Sequence, residues 1–518
     1  MADTLGQLIR DQANAIGDRI AFSFEGRDLT YGELDAAASK VANALIADGV
    51  GAGDRVAVLD KNTLEVFEIM FGAAKVGAVL CPINWRLAPP EIVHIVNDAG
   101  ARVLVVGQEF VPMLDKIEGD LTSVTRILVL GAHPTHEDYA AWRDARPADD
   151  PGIEVATDDV ALQFYTSGTT GLPKGAMLSG RGENALVDVA NETLGLSSES
   201  VSLVAMPLFH VAGAGWALFG LYNGARNVML RDVDFEAILD AIPRYGVTET
   251  VFVPAVLQFL LATPGCADTD FSTLRLILYG ASPISEDVLV RSLECFGCDF
   301  AQAYGLTETS GAAVILPPAD HDPNGPNRHR LRAAGIALPG VEIRVVDDDG
   351  NDVPTGEIGE VWIKSPANMV GYWNMPEATA AALTNDNWFK SGDAGYLDED
   401  GYVYIADRVK DMVISGGENI YPAEVESVLM SHPAVADAAV IGVPDEKWGE
   451  SVKAIVVRAP DAEANETDII SFCRDRLAHY KCPTSVDWID MLPRNPSGKI
   501  LKRELREPYW KGRDKQVS

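Results

Sequence analysis

The residues best suited to chemistry in this 518-residue sequence form a short stretch rich in glycine and hydroxyl side chains. The stretch reads Thr166-Ser167-Gly168-Thr169-Thr170-Gly171-Leu172-Pro173-Lys174. Glycines let successive backbone N–H groups converge on one anion, hydroxyls add donors and the lysine adds positive charge. The stretch therefore predicts a phosphate-binding loop, although a hairpin turn would use similar residues. It is not the common P-loop, because no Gly-Lys-Ser/Thr follows at the required spacing.

Two further polar stretches each follow an apolar run that predicts a strand. They read Tyr279-Gly280-Ala281-Ser282 and Gln302-Ala303-Tyr304-Gly305-Leu306-Thr307-Glu308. An aromatic ring beside glycine can present a flat face to a purine. A threonine next to a glutamate offers a hydroxyl to phosphate and a carboxylate to Mg²⁺. Two ordinary strand-to-helix loops, with Thr307 as a helix cap, are the structural alternative.

Three single residues are also candidates for chemistry, and each has a plain structural explanation. His210 lies in an otherwise uncharged, apolar segment, where a histidine is often a satisfied structural residue. Asp393 lies in what we predict to be a tight turn, where an aspartate often caps its own backbone. Lys499 lies near the C-terminal end, where lysines are usually solvated.

Taken together and in this order, the motifs resemble the adenylate-forming superfamily, which comprises acyl-CoA synthetases, luciferases and adenylation domains. The resemblance covers nearly the entire chain. It implies a ligase that uses ATP, Mg²⁺ and coenzyme A and acts on a small-molecule carboxylic acid. ATP converts the acid into acyl-AMP and releases pyrophosphate, after which a thiol takes the acyl group and releases AMP.

The resemblance also implies a role for individual residues. It places Tyr304 at adenine, Thr307 at phosphate and Asp393 at ribose, and it assigns catalysis to Lys499, Thr307, Glu308 and His210, with Glu308 on the metal. The full set of ATP and AMP contacts is Thr166, Ser167, Gly168, Thr169, Thr170, Gly171, Lys174, Gly280, Ala281, Ser282, Gln302, Ala303, Tyr304, Gly305, Asp393 and Arg408. The implied acyl pocket is formed by His210, Val211, Gly213, Gly215, Trp216 and Gly280. The implied coenzyme A channel is formed by Gly416, Gly417, Glu418 and Trp448, and Lys410 is the implied hinge.

The segment after His210 predicts an apolar acid as substrate, and we expect a medium- or long-chain fatty acid. Aryl and sterol-side-chain acids are compatible alternatives. An α-amino acid is disfavoured because the segment from Phe209 to Leu218 has no aspartate for the amine. An acyl-AMP ligase that feeds a carrier protein, a luciferase-like monooxygenase and a catalytically dead scaffold are further alternatives.

The elements that must position these residues follow from hydrophobic periodicity. Residues 4–50 predict helices, and from Arg55 onward short strands alternate with helices, which is typical of a largely parallel sheet. From Gly335 the pattern changes to β segments punctuated by glycine and aspartate, and beyond Asp411 to α+β. We predict an α/β fold: a large N-terminal domain (1–407) with two parallel-type α/β sheets plus a small β-barrel, a hinge (408–412), and a small mobile α+β C-terminal domain (413–518).

Composition excludes several other classes of function. The chain has 42 Lys plus Arg against 76 Asp plus Glu, a net charge of −34, so we expect no nucleic-acid partner. We see no secretory signal and no segment that could span a bilayer, so the predicted location is cytoplasmic. Enzymes that resemble this one are often dimers, and a homodimer is a further expectation. Six cysteines are too few for a disulfide framework, and the lone Cys295-x-x-Cys298 motif indicates buried thiols better than zinc or redox chemistry.

Overall fold

The computed structural model describes residues 4–166, 173–408, 411–415, 418–445, 447–460, 462–494 and 499–511, with the backbone alone at 188, 407, 408, 418 and 419. Within these residues no helix is long and apolar enough to cross a membrane. The α-helices of the described residues are, in chain order, α1 (Leu5–Ile16), α2 (Tyr31–Ala47), α3 (Leu64–Lys75), α4 (Pro89–Ala99), α5 (Val111–Ile117), α6 (Tyr139–Asp144), α7 (Gly180–Leu194), α8 (Val211–Tyr222), α9 (Phe235–Tyr245), α10 (Pro254–Ala262), α11 (Glu286–Phe296), α12 (Pro376–Ala382), α13 (Pro422–Met430), α14 (Glu466–Arg474) and α15 (Lys502–Trp510).

The strands of the same residues form four sheets. In chain order they are β1 (Ile20–Phe24), β2 (Arg27–Thr30), β3 (Arg55–Leu59), β4 (Val79–Pro82), β5 (Ala101–Gly107), β6 (Arg126–Leu130), β7 (Glu137–Asp138), β8 (Val160–Thr166), β9 (Lys174–Ser179), β10 (Val201–Val204), β11 (Arg226–Met229), β12 (Glu249–Phe252), β13 (Leu276–Gly280), β14 (Asp299–Tyr304), β15 (Val314–Leu316), β16 (Ile336–Ala337), β17 (Glu342–Val346), β18 (Gly359–Lys364), β19 (Gly371–Tyr372), β20 (Trp388–Leu397), β21 (Val403–Arg408), β22 (Val413–Ser415), β23 (Glu418–Ile420), β24 (Val435–Asp445), β25 (Gly449–Arg458) and β26 (Ser485–Trp488).

Two large sheets dominate the N-terminal part. The first has the order β16-β15-β14-β13-β12-β10-β11-β1-β2, and the second has the order β19-β9-β8-β4-β3-β5-β6-β7. The central strands of both run parallel, and antiparallel strands occur only at their edges. Helix α8 packs on β10, β11 and β12 of the first sheet, whereas α7 contacts β9 of the second sheet and α8 itself. The pair α7 and α8 therefore connects the two sheets, and this pair forms much of the site described below.

The remaining two sheets are smaller. The third is a curled antiparallel sheet with the order β17-β18-β20-β21. The fourth has the order β23-β22-β25-β24, with β26 pairing in parallel with β25, and α13, α14 and α15 pack on it around a separate apolar core. The predicted fold class, a large α/β part followed by a small antiparallel sheet and a smaller α+β part, is confirmed.

The prediction of helices alone over residues 4–50 is wrong at one place, where β1 and β2 form a hairpin between α1 and α2. Phe24 pairs with Arg27 across a two-residue loop, and both loop residues, Glu25 (φ 48°) and Gly26 (φ 79°), have positive φ. Such a loop matches the twist of a hairpin but usually begins with Asn, Asp or Gly. Because Glu25 takes the first loop position, the sequence does not show the usual hairpin signal. Burial of Ala21 and Phe22 holds β1 against β11.

The structure leaves all six cysteines unpaired, but Cys295 and Cys298, which we predicted to be buried, are only partly so. All six are free; Cys81, Cys266, Cys473 and Cys482 are buried, and Cys295 and Cys298 are half-buried. The sulfur atoms of Cys266 and Cys295 lie 3.6 Å apart, and burial raises the pKa of the Cys266 thiol to about 12. A thiol with so high a pKa is a weak nucleophile at neutral pH.

Candidate active site

A cavity of about 1850 Å³ opens at the carboxyl ends of the strands of both large sheets. It receives residues from the ends of β4, β8, β12, β13 and β14, from α7 and α8, and from the C-terminal part of the chain. Its volume exceeds the roughly 300–1,000 Å³ of an ordinary ligand pocket. The cavity can therefore hold a nucleotide and an organic substrate side by side.

One end of the cavity collects many of the residues predicted to bind ATP. Its lining includes Thr166, Lys174, Gly280, Ala281, Ala303, Gly305, Thr307 and Glu308. These come from three separate chain segments, which supports the expectation that strand ends bring them together. Ser282, Gln302, Tyr304 and Asp393 do not line the cavity themselves. Residues 167–171 of the predicted phosphate loop lie outside the described residues.

Tyr304 and Asp393 form a fixed polar pair beside the cavity. The Tyr304 hydroxyl donates to Asp393 Oδ2 at 2.8 Å, and Asp393 stands opposite Arg408 in the β20–β21 ladder. We predicted that Asp393 lies in a tight turn. It lies instead within the ten-residue strand β20. The preceding Gly392 has a φ of +68°, so a local kink, rather than a chain reversal, explains the glycine-aspartate sequence. Ser391 Oγ accepts the Asp393 N–H at 3.0 Å and fixes this kink.

Glu308 is fixed in a similar way. Residues Thr307–Thr309 form a short 3-10 helix, and the Tyr372 hydroxyl donates to Glu308 Oε1 at 2.8 Å. The Lys174 ammonium lies 4.9 Å from the centre of the same tyrosine ring. A carboxylate with a set orientation thus stands close to a cation at the cavity wall. In the described part of the chain, no cluster of three or more His, Cys, Asp or Glu could hold a metal ion.

His210 lines the cavity at the start of α8. It caps the N-terminus of α8, because its Nδ1 accepts the N–H of Ala212 at 3.2 Å. Burial lowers the pKa of this histidine to about 4, so the imidazole is neutral at physiological pH. Since Nδ1 is an acceptor, the hydrogen of the neutral ring resides on Nε2.

The other end of the cavity is apolar. Of the predicted acyl-pocket residues, His210, Val211, Gly215, Trp216 and Gly280 line it. Gly213 does not; a Cβ on this residue would lie 2.3 Å from the carbonyl oxygen of Pro207, so the glycine allows α8 to pack against the turn before it. Here the backbone contact, and not the cavity, requires glycine.

Helix α7 supplies a wall of this chamber that sequence reasoning missed. The α7 residues in the lining are Glu183, Leu186, Val187, Ala190 and Leu194. The spacing of these residues places them on one face of a helix, and this was the signal available in the sequence. What the sequence could not show is that this face borders a cavity instead of the protein core.

Lys499 lines the same cavity as Thr166, Thr307 and Glu308. Lys499 immediately precedes Ile500. Ile500 pairs with Arg494 in an isolated antiparallel bridge. Helix α15 then packs on β24 of the fourth sheet. A residue almost two hundred positions beyond Glu308 thus borders the same cavity, and the catalytic role that the resemblance implies for it stays a prediction.

Of the residues predicted to face coenzyme A, Trp448 can be placed, and it does not line the cavity. Trp448 is 48% exposed at the end of the β24–β25 turn, where its backbone N–H donates to Asp445 Oδ1 at 3.0 Å. Gly416, Gly417 and the predicted hinge Lys410 lie outside the described residues, and of Glu418 and Arg408 only the backbone is described. The predicted thiol-binding role of these residues stays a prediction.

Comparisons with known proteins agree on one family. Residues 9–373 match the family described as AMP-binding enzyme, and residues 424–499 match the AMP-binding enzyme C-terminal domain. The chain is 45% identical over 491 residues to the fatty acid–[acyl-carrier-protein] ligase ScoC of Streptomyces coeruleorubidus, covering 94% of this chain and 92% of that protein. It is 37% identical over 508 residues to the long-chain-fatty-acid–CoA ligase FadD13 of Mycobacterium tuberculosis, covering 98% of each. Among solved structures, the anthranilate CoA ligase AuaEII in complex with anthranoyl-AMP matches with a TM-score of 0.91 at 29% identity, covering 98% of this chain and 97% of that one.

Proposed function

The chain belongs to the adenylate-forming superfamily of AMP-binding enzymes and is an AMP-forming acid–thiol ligase; from that premise we propose that it activates a medium- or long-chain fatty acid with ATP and passes the acyl group to coenzyme A. The observation that carries this proposal is the single cavity in which Lys499, Thr307 and Glu308 meet a long apolar chamber. The polar end suits the triphosphate of ATP, and the apolar end suits the organic part of the acid.

The dimensions of the chamber favour an extended acyl chain. Eleven positions separate Glu183 from Leu194, and at about 1.5 Å per residue this part of α7 extends about 16 Å. Both residues border the cavity, and the wall between them is formed by Leu186, Val187 and Ala190. A flat aromatic acid would leave much of this length unfilled. A flexible aliphatic chain can use all of it and gains free energy from each methylene that it buries.

The first half-reaction joins the acid to AMP. A carboxylate is a poor electrophile because attack on it would have to expel oxide, whereas acyl-AMP has a stable phosphate monoester as its leaving group. In our proposal a carboxylate oxygen attacks the α-phosphorus, and the bond to the pyrophosphate oxygen breaks. The phosphate loop and Thr307 position the phosphates, and Lys499 stabilises the charge that develops between the acyl and phosphate oxygens. In the same proposal neutral His210 lies where the acid enters the chamber and donates from Nε2.

Mg²⁺ fits the polar end through one protein carboxylate. The carboxylate of Glu308 is at the cavity wall, with one oxygen held by Tyr372. Mg²⁺ commonly takes one or two carboxylates and completes its shell with phosphate oxygens and water. Glu308 would therefore be the protein ligand, and the ion would neutralise charge on the departing pyrophosphate.

The second half-reaction requires a different arrangement of the C-terminal part. We propose that residues 413–518 form a domain that rotates about Lys410 within the hinge 408–412, relative to the N-terminal domain 1–407. The rotation would withdraw Lys499 and bring Gly416, Gly417, Glu418 and Trp448 to the cavity, where they would line the path of the thiol. The present position of Trp448, exposed and away from the cavity, supports this proposal, because the arrangement with Lys499 inside would be the adenylating one.

A carrier-protein thiol is the alternative acceptor. The relative ScoC, 45% identical, is named for acyl-carrier-protein, whereas FadD13, 37% identical, is named for CoA. An aryl or sterol-side-chain acid is the alternative substrate, since AuaEII is named for anthranilate. A homodimer also stays a prediction.

The proposal can be tested in two stages. In the first, ATP–pyrophosphate exchange is measured with fatty acids of increasing length and with benzoic and anthranilic acids, and we expect the highest kcat/KM with a medium or long aliphatic acid. In the second, AMP release with that acid is compared with coenzyme A and with a phosphopantetheinylated carrier protein as acceptor. Preference for an aryl acid or for the carrier would select the matching alternative. Absence of exchange with every acid would favour a catalytically dead scaffold.

A further inference from the structure

The apolar chamber contains an ionisable side chain, Glu183, whose presence the proposed reaction does not explain. Glu183 lies on the first turn of α7, is 3% exposed, and lines the cavity together with Leu186 and Val187. Burial raises the pKa of its carboxyl to about 7. An apolar acid alone would be better served by leucine at this position, because a carboxyl group loses hydration in an apolar wall.

Among the described residues, Glu183 has no counter-ion, and one of its two carboxyl oxygens, Oε1, has no partner. Hydrogen bonding by the neighbouring Ser310 offsets part of the rise in the pKa of Glu183, although the Ser310 hydroxyl also donates to the backbone oxygen of Ala367 at 2.9 Å. A buried carboxyl oxygen without a partner costs free energy. Glu68 Oε1 also has no partner, but Glu68 has an arginine as counter-ion and Glu183 has none among the described residues.

Two other buried glutamates show how this chain satisfies a carboxylate that serves the fold. Glu68 is 0% exposed, and its Oε2 lies 2.6 Å from Arg143 Nη1 and 3.0 Å from the Tyr139 hydroxyl. Glu249, also 0% exposed, pairs with Arg275 and accepts from Ser200. Both structural glutamates are thus neutralised by an arginine, and neither lines the cavity. Glu183, in contrast, has no arginine partner among the described residues and does line the cavity.

The cavity lining contains a second buried polar atom without a partner, on helix α8. Trp216 on α8 is 5% exposed and lines the cavity, and among the described residues its indole N–H has no acceptor. Helices α7 and α8 are in contact with each other. The lining thus contains a carboxyl group on one helix and an indole N–H group on the other, among mainly apolar side chains.

We propose that the acid activated by this enzyme carries a hydroxyl group on the part that occupies the chamber, and that Glu183 is the residue that recognises it. This inference rests on the proposed function, since it concerns the same acid. A hydroxyl can donate to an ionised carboxyl and accept from a neutral one, so it satisfies Glu183 in either protonation state. A ketone can only accept and an ammonium can only donate, so each suits one state of Glu183, and an ammonium offers nothing to the Trp216 N–H. Glu183 is in this sense a specificity-determining residue.

The test compares matched acids in ATP–pyrophosphate exchange. The first set is decanoic acid, decanoic acids hydroxylated at successive carbons and their amino counterparts; the second is cinnamic acid with its para-hydroxy and para-methyl derivatives. We expect at least one hydroxylated acid to exceed its parent about tenfold or more in kcat/KM, because the parent leaves a buried polar group unpaired. Decanoic acids hydroxylated at other carbons serve as positional controls.

Two variants of Glu183 separate recognition from a structural role. Glu183→Leu should lower kcat/KM for the preferred hydroxylated acid about tenfold or more and leave the parent acid equal or improved. Glu183→Gln, which keeps a donor and an acceptor, should retain most of the preference. Glu192→Leu, an exposed position on the same helix, is the matched control and should change neither. Loss of structure alone would lower activity with both acids equally and could not reverse a preference.

The exchange assays separate failure of the inference about Glu183 from failure of the proposed acid activation. Equal kcat/KM for parent and hydroxylated acids in the wild-type protein overturns this inference while acid activation itself stands. Preference for an amino acid counterpart overturns it as well and makes Glu183 a counter-ion. An unchanged preference in Glu183→Leu also overturns it. If no acid supports exchange, the proposed function fails, and this inference fails with it.

Discussion

The two ends of the cavity differ in how their polar side chains are satisfied. At the ATP end, Tyr304 is bonded to Asp393 and Tyr372 to Glu308, so the polar groups are held by the protein before any ligand arrives. At the acyl end the walls are apolar, and among the described residues Glu183 Oε1 and Trp216 Nε1 have no partner. Preorganised polar groups serve chemistry that is the same for every acid. Polar groups without a partner in the protein can bind a complementary group on one particular substrate and so distinguish it from others.

The same contrast explains how much of the site the sequence could predict. The ATP end is built from short contiguous stretches, 166–174 and 302–308, whose residue types express their chemistry directly, and Thr166, Lys174, Thr307 and Glu308 do border the cavity. The acyl end joins one face of α7 to α8 and to three strands. Which face of α7 borders the cavity depends on packing between distant segments, so its wall was missed.

The fold shows a similar division between what local patterns reveal and what they hide. Apolar alternation predicted the strands, the helices and the fold class, because burial patterns follow secondary structure. The β1–β2 hairpin and the kink at Gly392 were not predicted. Both depend on positive φ at one or two residues, Glu25 and Gly392, whose effect on the chain direction is set by their neighbours.

The strongest test of the ATP end is Lys499→Ala. We expect adenylation, measured as ATP–pyrophosphate exchange, to fall about 10³-fold, since one preorganised donor in a water-excluded site is worth about 10²–10³ in rate. Thioester formation from supplied acyl-AMP should change only a few-fold, because Lys499 would be withdrawn at that stage. Lys511→Ala, an exposed lysine after α15, is the control. Equal loss in both half-reactions would contradict the proposed domain rotation.

The role of α7 in the acyl end can be tested by a substitution that places a larger side chain in the chamber. Ala190 lies midway along the α7 wall and is 5% exposed. Ala190→Phe should block the chamber beyond this point, so kcat/KM for long aliphatic acids should fall about 100-fold, the equivalent of several buried methylenes. Short acids should change little, and so should KM for ATP.

The control for this substitution is Glu192→Phe, which places the same ring on the exposed side of α7. It should leave the chain-length profile of exchange unchanged. If Ala190→Phe lowers kcat/KM for short and long acids equally, α7 does not form the wall of the acyl pocket, and the two ends of the cavity are not divided as described.

A smaller effect is expected from Tyr304→Phe, which keeps the ring and removes the hydroxyl that donates to Asp393 at 2.8 Å. A hydrogen bond to a charged group contributes about 1.5–3 kcal/mol. The KM for ATP should rise about tenfold as Asp393 loses its fixed position, while the ranking of acids stays the same. Tyr396→Phe, a tyrosine stacked on Tyr404 and absent from the cavity lining, is the matched control. A changed ranking of acids would show that the two ends are coupled.

The smallest effect concerns stability, and it tests whether Glu183 is buried without a partner. The pKa of its carboxyl is raised from 4.5 to about 7 in the folded protein. Between these values the folded state binds a proton that the unfolded state has lost, so stability is full below pH 4.5 and declines as pH rises towards 7. The decline amounts to about 3 kcal/mol at most. Glu183→Gln cannot ionise, so its Tm relative to the wild type should rise by about 2 to 4 °C between pH 5 and pH 8. For the control Glu192→Gln, the difference in Tm from the wild type should stay constant over the same pH range. A constant difference in Tm for Glu183→Gln would mean that the Glu183 carboxyl is already paired or hydrated, as the polar groups of the ATP end are.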